Sequence, residues 1–497
     1  MPHTDEIPTG FGVSWDPAVV HLDDGAVAVG GVPRRLIRLS DIAQRALDGL
    51  RRPDPEPVSP AVWRRVVRPL LDAGLLQPVP GPAPHTLGEV TVVVPVRDRW
   101  EALYALLPTL SDAAHVIVVD DGSSDGSGDV AEALGATVVR RPTAGGPAAA
   151  RNAGLELVRT PLVALVDSDM RLEPGWETAL LPHFDDPTVA VVAPRVIGDV
   201  AERTDALARY EVARSAQDLG PAPGYVRPGN RASFLPAAIL LARTEALEEM
   251  GGFDPDLIVG EDVDLVWRLG DAGWRVRYEP ASVVYHDARP SLPTLLRRRV
   301  DYGTSAAALH RRHPGKVAPV AVSPWSAAVW GSALLGQFGL AGIIGGISTV
   351  RLAKSLKGRV RDRWQASRLV AGKGYLGTAG LLASAVTRAW LPLAALAMWR
   401  FPRTRPALAA AVLMPPLVDW VGQRPPIGAA AYSALYLADD AAYCAGVWLG
   451  CARERTLGPL LPRLYRQAPV LPTPTAITRS PTDDTRHPRR DPKGGLR

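Results

Sequence analysis

Val116-Ile-Val-Val-Asp-Asp-Gly-Ser123 and Leu162-Val-Ala-Leu-Val-Asp-Ser-Asp169 each run from an unbroken apolar segment straight into a pair of carboxylates. A third such run, Val90-Thr-Val-Val-Val94, precedes them. Strands that are apolar on both faces fit a parallel sheet covered by helices on either side. Helical spacing fills the intervals, from about Arg99 to Leu107, where Pro108 stops it, and from Ala148 to Leu157. This βαβαβ order predicts a doubly wound α/β sheet.

Ligands of open α/β sheets bind just beyond the carboxyl ends of the parallel strands. Asp120-Asp121 and Asp167-Ser168-Asp169 therefore emerge at one edge of one sheet. Either pair alone is an ordinary turn signal. Two pairs on successive strand ends point to a common ligand. Carboxylates so placed suit a nucleotide diphosphate that arrives with Mg²⁺ or Mn²⁺, because these hard cations prefer oxygen ligands and keep positions open for phosphate. The cation would neutralise charge on a departing diphosphate. Farther on, Gly260-Glu-Asp-Val-Asp-Leu-Val-Trp-Arg268 puts Glu261 and Asp262 at the start of an amphipathic helix. A carboxylate there complements the helix dipole, or it serves as general base for an attacking hydroxyl. Asp262 is the preferred base, with Glu261 beside it.

These motifs, together with Pro95, Gly146-Pro-Ala-Ala-Ala-Arg-Asn152 and Gly251-Gly-Phe-Asp254, resemble those of family 2 glycosyltransferases in order and spacing, over about Val90 to Arg299. The resemblance implies a GT-A fold, an α/β Rossmann-like, mostly parallel sheet, and a metal-dependent, inverting transfer from a UDP-sugar. It puts Pro95, Arg97, Asp120, Asp121 and Arg151 on the nucleotide, Asp167 on ribose or metal, Asp169 on the metal and Asp262 at the base position. His286, in Val283-Val-Tyr-His-Asp287, stands where some relatives carry an extra metal ligand. A structural hydrogen-bonding role is its alternative. Arg298, inside Arg297-Arg298-Arg299, suits pyrophosphate or a membrane surface equally. The Gln-x-x-Arg-Trp of processive synthases is replaced by Arg298-Arg-Val-Asp-Tyr302, which favours a short glycan.

The whole chain resembles a narrower family, the glycosyltransferases of the actinobacterial mycofactocin system. Gly10-Phe-Gly-Val13, Leu36-Ile-Arg-Leu39, Arg209-Tyr-Glu211, Asp218-Leu-Gly220, His313-Pro-Gly-Lys316 and Asp439-Asp440 carry that likeness. It implies transfer of glucose from UDP-glucose onto a peptide-derived redox cofactor, building a short β-linked glucan. A lipid-carrier or cell-wall acceptor is one alternative, and a catalytically silent peptide-holding scaffold is another.

At 497 residues the chain exceeds one typical core. Residues 1–80 read as a small α+β, winged-helix-like module, 88–300 as the catalytic domain, 301–470 as an apolar helical region and 471–497 as a disordered tail. In the first module Ser40 caps a helix over Asp41–Leu50, and a second helix over Val62–Leu71 risks being cut short by Pro69. Pro78 to His85 reads as a linker. The module resembles small domains that take a leader peptide as an added strand, and a structural cap is the alternative. DNA binding is disfavoured, since its basic residues are limited to Arg64, Arg65 and Arg68.

Residues 317–350 contain no Asp, Glu, Lys or Arg and are long enough to span a bilayer. Basic residues flank both ends, so the positive-inside rule cannot orient one crossing. A re-entrant hairpin resolves that symmetry. A soluble helical domain is the alternative, favoured by Asp439-Asp440. The net charge of +5 fits a phosphate-bearing ligand or an anionic membrane face, and no nucleic acid is expected. With two cysteines and a polar Met1–Gly10, the expected place is the cytoplasmic face of the cell membrane.

Overall fold

The computed structural model describes residues 7, 10–31, 34–81, 85–199, 205–287 and 291–465. The tail read over 471–497, and residues 82–84 of the linker, lie outside the described residues.

The quoted runs form the heart of a nine-stranded sheet. Val90–Val96 lies between His115–Asp120 and Leu162–Val166, parallel to both, and Thr137–Arg140 extends the parallel set. Every residue of Leu162–Val166 is buried, as expected of a strand covered on both faces. The helices Trp100–Leu106 and Gly146–Leu155 cover it close to the expected bounds. At Gly154 helix and sheet approach closely, since a Cβ there would collide with the Val93 side chain. Beyond Leu162–Val166 the sheet changes sense. Ile239–Arg243 pairs antiparallel with it and with Val189–Asp199, which then runs parallel to Arg275–Asp287. The sheet is thus mixed, with a parallel half that presents the carboxylates and a second half that brings His286 alongside them.

Residues 10–79 fold as a small α+β unit. Ser40 Oγ accepts from the Ala43 amide and starts the helix Asp41–Leu50. The second helix does not stop at Pro69. It runs from Pro60 to Asp72 through a π turn at Trp63–Val67. That wider turn accommodates a residue with no N–H to give. Arg68 on this helix docks the unit against the sheet domain through Asp186, at 2.7 and 3.2 Å, with both side chains buried. Arg275 reaches back to Asp72 at 2.9 and 3.0 Å. The three-stranded sheet Val20–Leu22, Val27–Gly30, Arg35–Arg38 packs its other face on Leu356 and Val360. The unit therefore touches both the catalytic sheet and the C-terminal helices.

The C-terminal region is helical. The apolar stretch 317–350 is broken into two helices, Pro324–Leu334 and Phe338–Ser355, which turn back on each other at Gly336 with φ 75°. It forms a helical hairpin rather than one long helix. Among the described residues, Arg363–Arg388 alone is long and apolar enough to cross a bilayer. The helix Leu292–Arg312 leads out of the sheet domain and lies along Ala429–Arg453. Their backbones meet at Gly303, Gly446 and Gly450, where any Cβ would strike the opposite chain. The pair Asp439-Asp440 sits in this seam, 2% exposed at each residue. Arg214 donates to both carboxylates at 2.8 and 3.0 Å, Tyr210 donates to Asp439 at 2.8 Å, and Thr387 donates to Asp440 at 2.6 Å. Arg299 pairs with Asp439 as well. The two aspartates thus face a basic clamp rather than solvent, which is how an apolar helix tolerates them.

Gly446→Val should lower stability by at least about 2 kcal/mol, because overpacking against fixed backbone has no side chain to move aside. Gly380→Val, on a helix face with open space, should change it by less than about 0.5 kcal/mol. Thermal unfolding of both variants checks the contrast.

Candidate active site

The carboxyl ends of Val90–Val96, His115–Asp120 and Leu162–Val166 open on one edge. At the outer strand, Asp120 accepts from the Ser123 amide at 2.8 Å and is almost fully buried. Asp121 accepts from the amides of Gly145, at 2.9 Å, and Gly146, at 2.8 Å, and pairs with Arg141. It thereby ties the start of the Gly146–Leu155 helix to the strand end. Pro95 sits one strand over, paired with Val119, and Arg97 points out from the following loop with 61% of its side chain exposed.

At the inner strand end a single guanidinium organises the site. Arg151, on the Gly146–Leu155 helix and 3% exposed, donates to Asp167 at 2.6 Å, to Glu261 at 3.1 Å and to the Ala237 carbonyl at 3.2 Å. Burial pushes the Asp167 carboxyl above its usual range, and Arg151 opposes the rise. Glu261 opens the helix Glu261–Asp271 after Gly260, whose φ of 90° sets the turn. Its role here is to lock that helix start to the strand end. Asp262, next to it, accepts from the Ala237 amide at 3.2 Å and the Val263 amide at 2.8 Å. Burial, then the neighbouring Glu261 charge, pushes its carboxyl up to about 7. A carboxylate poised there is matched to proton transfer near neutrality.

The candidate metal residues form a second corner. Asp169 Oδ2 lies 3.4 Å from His286 Nε2. The antiparallel pairing of Met170 with His286 sets this approach. Among the described residues no cluster of three or more His, Cys, Asp or Glu converges for a metal. Two protein donors nonetheless fit Mg²⁺ or Mn²⁺, which complete their shells with phosphate oxygens and water. Asp169 also pairs with Arg99 at 3.1 Å. Beyond His286 a shallow surface cleft is lined by Glu211, Ser215, Gln217, His286, Arg298 and Tyr302, among others. Arg298 and Arg299 both line this cleft, Arg299 buried and paired with Asp439 as well, and Arg297 and Arg298 are exposed.

The edge therefore gathers Asp121, Arg151, Asp167, Asp169, Glu261, Asp262 and His286. Sequence reasoning missed Arg99 and Arg141. The charged triplet Arg97-Asp98-Arg99, immediately after a strand at the ligand edge, was the available signal for the first. Arg141 follows its strand Thr137–Arg140 in the same way.

The model of glycosyl transferase family 2 matches residues 91–250. The pre-mycofactocin glycosyltransferase of Mycobacterium tuberculosis is 39% identical over 474 residues, covering 92% of this chain and 98% of that protein. Glycosyltransferase AglE of Haloferax volcanii is 25% identical and covers 41% of this chain and 69% of its own. A mannosyltransferase from Pyrobaculum calidifontis, solved with GDP-Man and Mn²⁺, matches at a TM-score of 0.34 with 21% identity, over 60% of this chain and 89% of that one. With a curated relative matched over almost its full length, the chain is a glycosyltransferase and belongs to the pre-mycofactocin glycosyltransferase family.

Proposed function

We propose that the protein transfers glucose from UDP-glucose, with inversion and with Mg²⁺ or Mn²⁺, onto the peptide-derived redox cofactor of the mycofactocin pathway, extending it to a short β-linked glucan. The observation that carries the chemistry is the pair of hydrogen bonds by which Arg151 joins the Asp167 strand end to the Glu261–Asp262 helix start. The name of the 39%-identical relative supports the acceptor. The UDP nucleoside would lie toward Asp120, Asp121 and Arg151, with its diphosphate toward Asp169 and His286. A bound divalent cation would supply Lewis-acid stabilisation of the leaving diphosphate. Asp262, held by two backbone amides, takes the proton of the incoming sugar or cofactor hydroxyl. Attack on the face opposite the diphosphate inverts the anomeric carbon. Tyr302 and Arg298 in the adjoining cleft would contact the acceptor.

The place of action we propose is the cytoplasmic face of the cell membrane. Supporting it, Phe338, Ile343, Ile347, Leu376, Trp399 and Val418 are all exposed on the C-terminal helices. Such a spread of bare apolar side chains exceeds what soluble surfaces carry singly. Arg351, Lys354, Lys357, Arg359 and Arg361 follow along the end of the hairpin's second helix and the turn after it, where an anionic leaflet would favour them.

Mass spectrometry of products from a panel of UDP-sugars and the cofactor acceptor should show hexose increments with UDP-glucose alone. A product with a lipid carrier but none with the cofactor would overturn the acceptor assignment. Asp262→Asn should slow transfer about 10²–10⁴-fold, the usual worth of a positioned base, with UDP binding retained. The wild-type rate should rise with pH through about 7 as Asp262 ionises. Stability should move the other way. A carboxyl raised from 3.8 to about 7 in the fold contributes fully below 3.8, and its contribution is lost as pH climbs through 7. Asp169→Ala should weaken Mn²⁺-dependent UDP binding, read by titration calorimetry. The protein should float with anionic vesicles, and Ile343→Asp with Ile347→Asp should leave it in the soluble fraction.

A further inference from the structure

The chain itself supplies a cation to Asp169. Arg99 Nη1 lies 3.1 Å from Asp169 Oδ2, the same oxygen that His286 Nε2 approaches at 3.4 Å. Arg99 caps the Trp100–Leu106 helix, which follows the Val90–Val96 strand, so it reaches Asp169 across the end of the central strand. Its backbone is fixed. The Arg99 amide donates to Ser127 Oγ at 3.1 Å, the Trp100 amide donates to Asp125 at 3.2 Å, and Asp98 both donates to Ser123, at 3.0 Å, and accepts from the Ser124 amide, at 2.7 Å. Of the Arg99 side chain 47% remains exposed, against 15% for Asp169, so solvent leaves it room to change partner. A hydrogen-bonded loop thus carries one half-exposed guanidinium over a corner that a divalent cation would share.

We infer that Arg99 is a place-holding cation. It neutralises Asp169 before a metal binds, and it swings onto the diphosphate when the metal arrives. This inference rests on the nucleotide-diphosphate reading of the cleft. The charge logic is simple. A divalent ion meeting Asp169 alone must displace a guanidinium and then sit beside it, which disfavours binding. A metal that arrives with a diphosphate brings anionic oxygens, and those oxygens offer the displaced guanidinium a better, bidentate partner. The exchange conserves pairing at every stage, so metal and nucleotide bind cooperatively and neither fills the site well by itself. Arg99 is a positioning residue for donor loading, and it takes no part in proton transfer.

The test is titration of Mn²⁺ alone, and of UDP at saturating Mn²⁺, on the full-length wild type, Arg99→Ala and Arg99→Lys. Free Mn²⁺ is read by electron paramagnetic resonance and UDP by calorimetry. In Arg99→Ala, Mn²⁺ alone should bind about fivefold more tightly, the scale of losing a half-exposed ion pair. UDP with Mn²⁺ should bind more weakly by a similar factor. The opposed signs are the signature, because a residue that merely shapes the loop would shift both affinities the same way. Arg99→Lys keeps the charge and should restore both values most of the way. Unchanged or weaker binding of Mn²⁺ alone by Arg99→Ala overturns the place-holder role and leaves the cleft assignment standing. Failure of the wild type to bind UDP with Mn²⁺ overturns the cleft assignment and this role with it.

Discussion

One buried guanidinium sets the geometry of the site. Arg151 has almost no contact with solvent and cannot shed its proton, so the fold must surround it with acceptors. It finds them on three separate stretches: Asp167 at a strand end, Glu261 at a helix start and the Ala237 carbonyl on the segment leading into Ile239–Arg243. Those stretches are far apart in sequence, and the demand of one charge brings them together. Removing any acceptor would leave a buried charge underpaired, which costs more than the lost bond itself. Asp262 benefits indirectly. Its neighbour Glu261 is held in place and stays close enough to help raise its pKa, while two backbone amides keep its own carboxylate aimed.

The parallel half of the fold was legible because its strands are apolar on both faces and end in acidic pairs. Leu162–Val166 falls on the residues the pattern picked out. The antiparallel strand Ile239–Arg243 was not, since a short buried run carries no signal of strand direction. Pro69 misled for a related reason. A sequence shows the missing donor but not the π turn that absorbs it. The apolar stretch over 317–350 was recognisable as apolar, and its hairpin shape follows from one left-handed glycine, Gly336.

Within the site, residues that terminate strands or open helices could be found by position, as with Asp121, Asp167, Asp169 and Asp262. Residues whose role depends on reaching across the sheet could not. Arg99 meets Asp169 from seventy positions upstream, over the end of another strand, and nothing in local spacing encodes that reach. The buried pair Asp439-Asp440 shows the same limit. In sequence it reads as polar residues in an apolar helix, and only the fold reveals Arg214 and Arg299 opposite.

The seam between Leu292–Arg312 and Ala429–Arg453 has a wider consequence. One helix lends Arg298 and Tyr302 to the cleft while its reverse side is interlocked, glycine against backbone, with the helical region. Catalytic unit and apolar region therefore share a structural member instead of being joined by a tether. A tethered module can be exchanged or shed without touching chemistry, but this one cannot. A substitution along the shared helix therefore acts on the cleft wall and on the seam with the helical region at once.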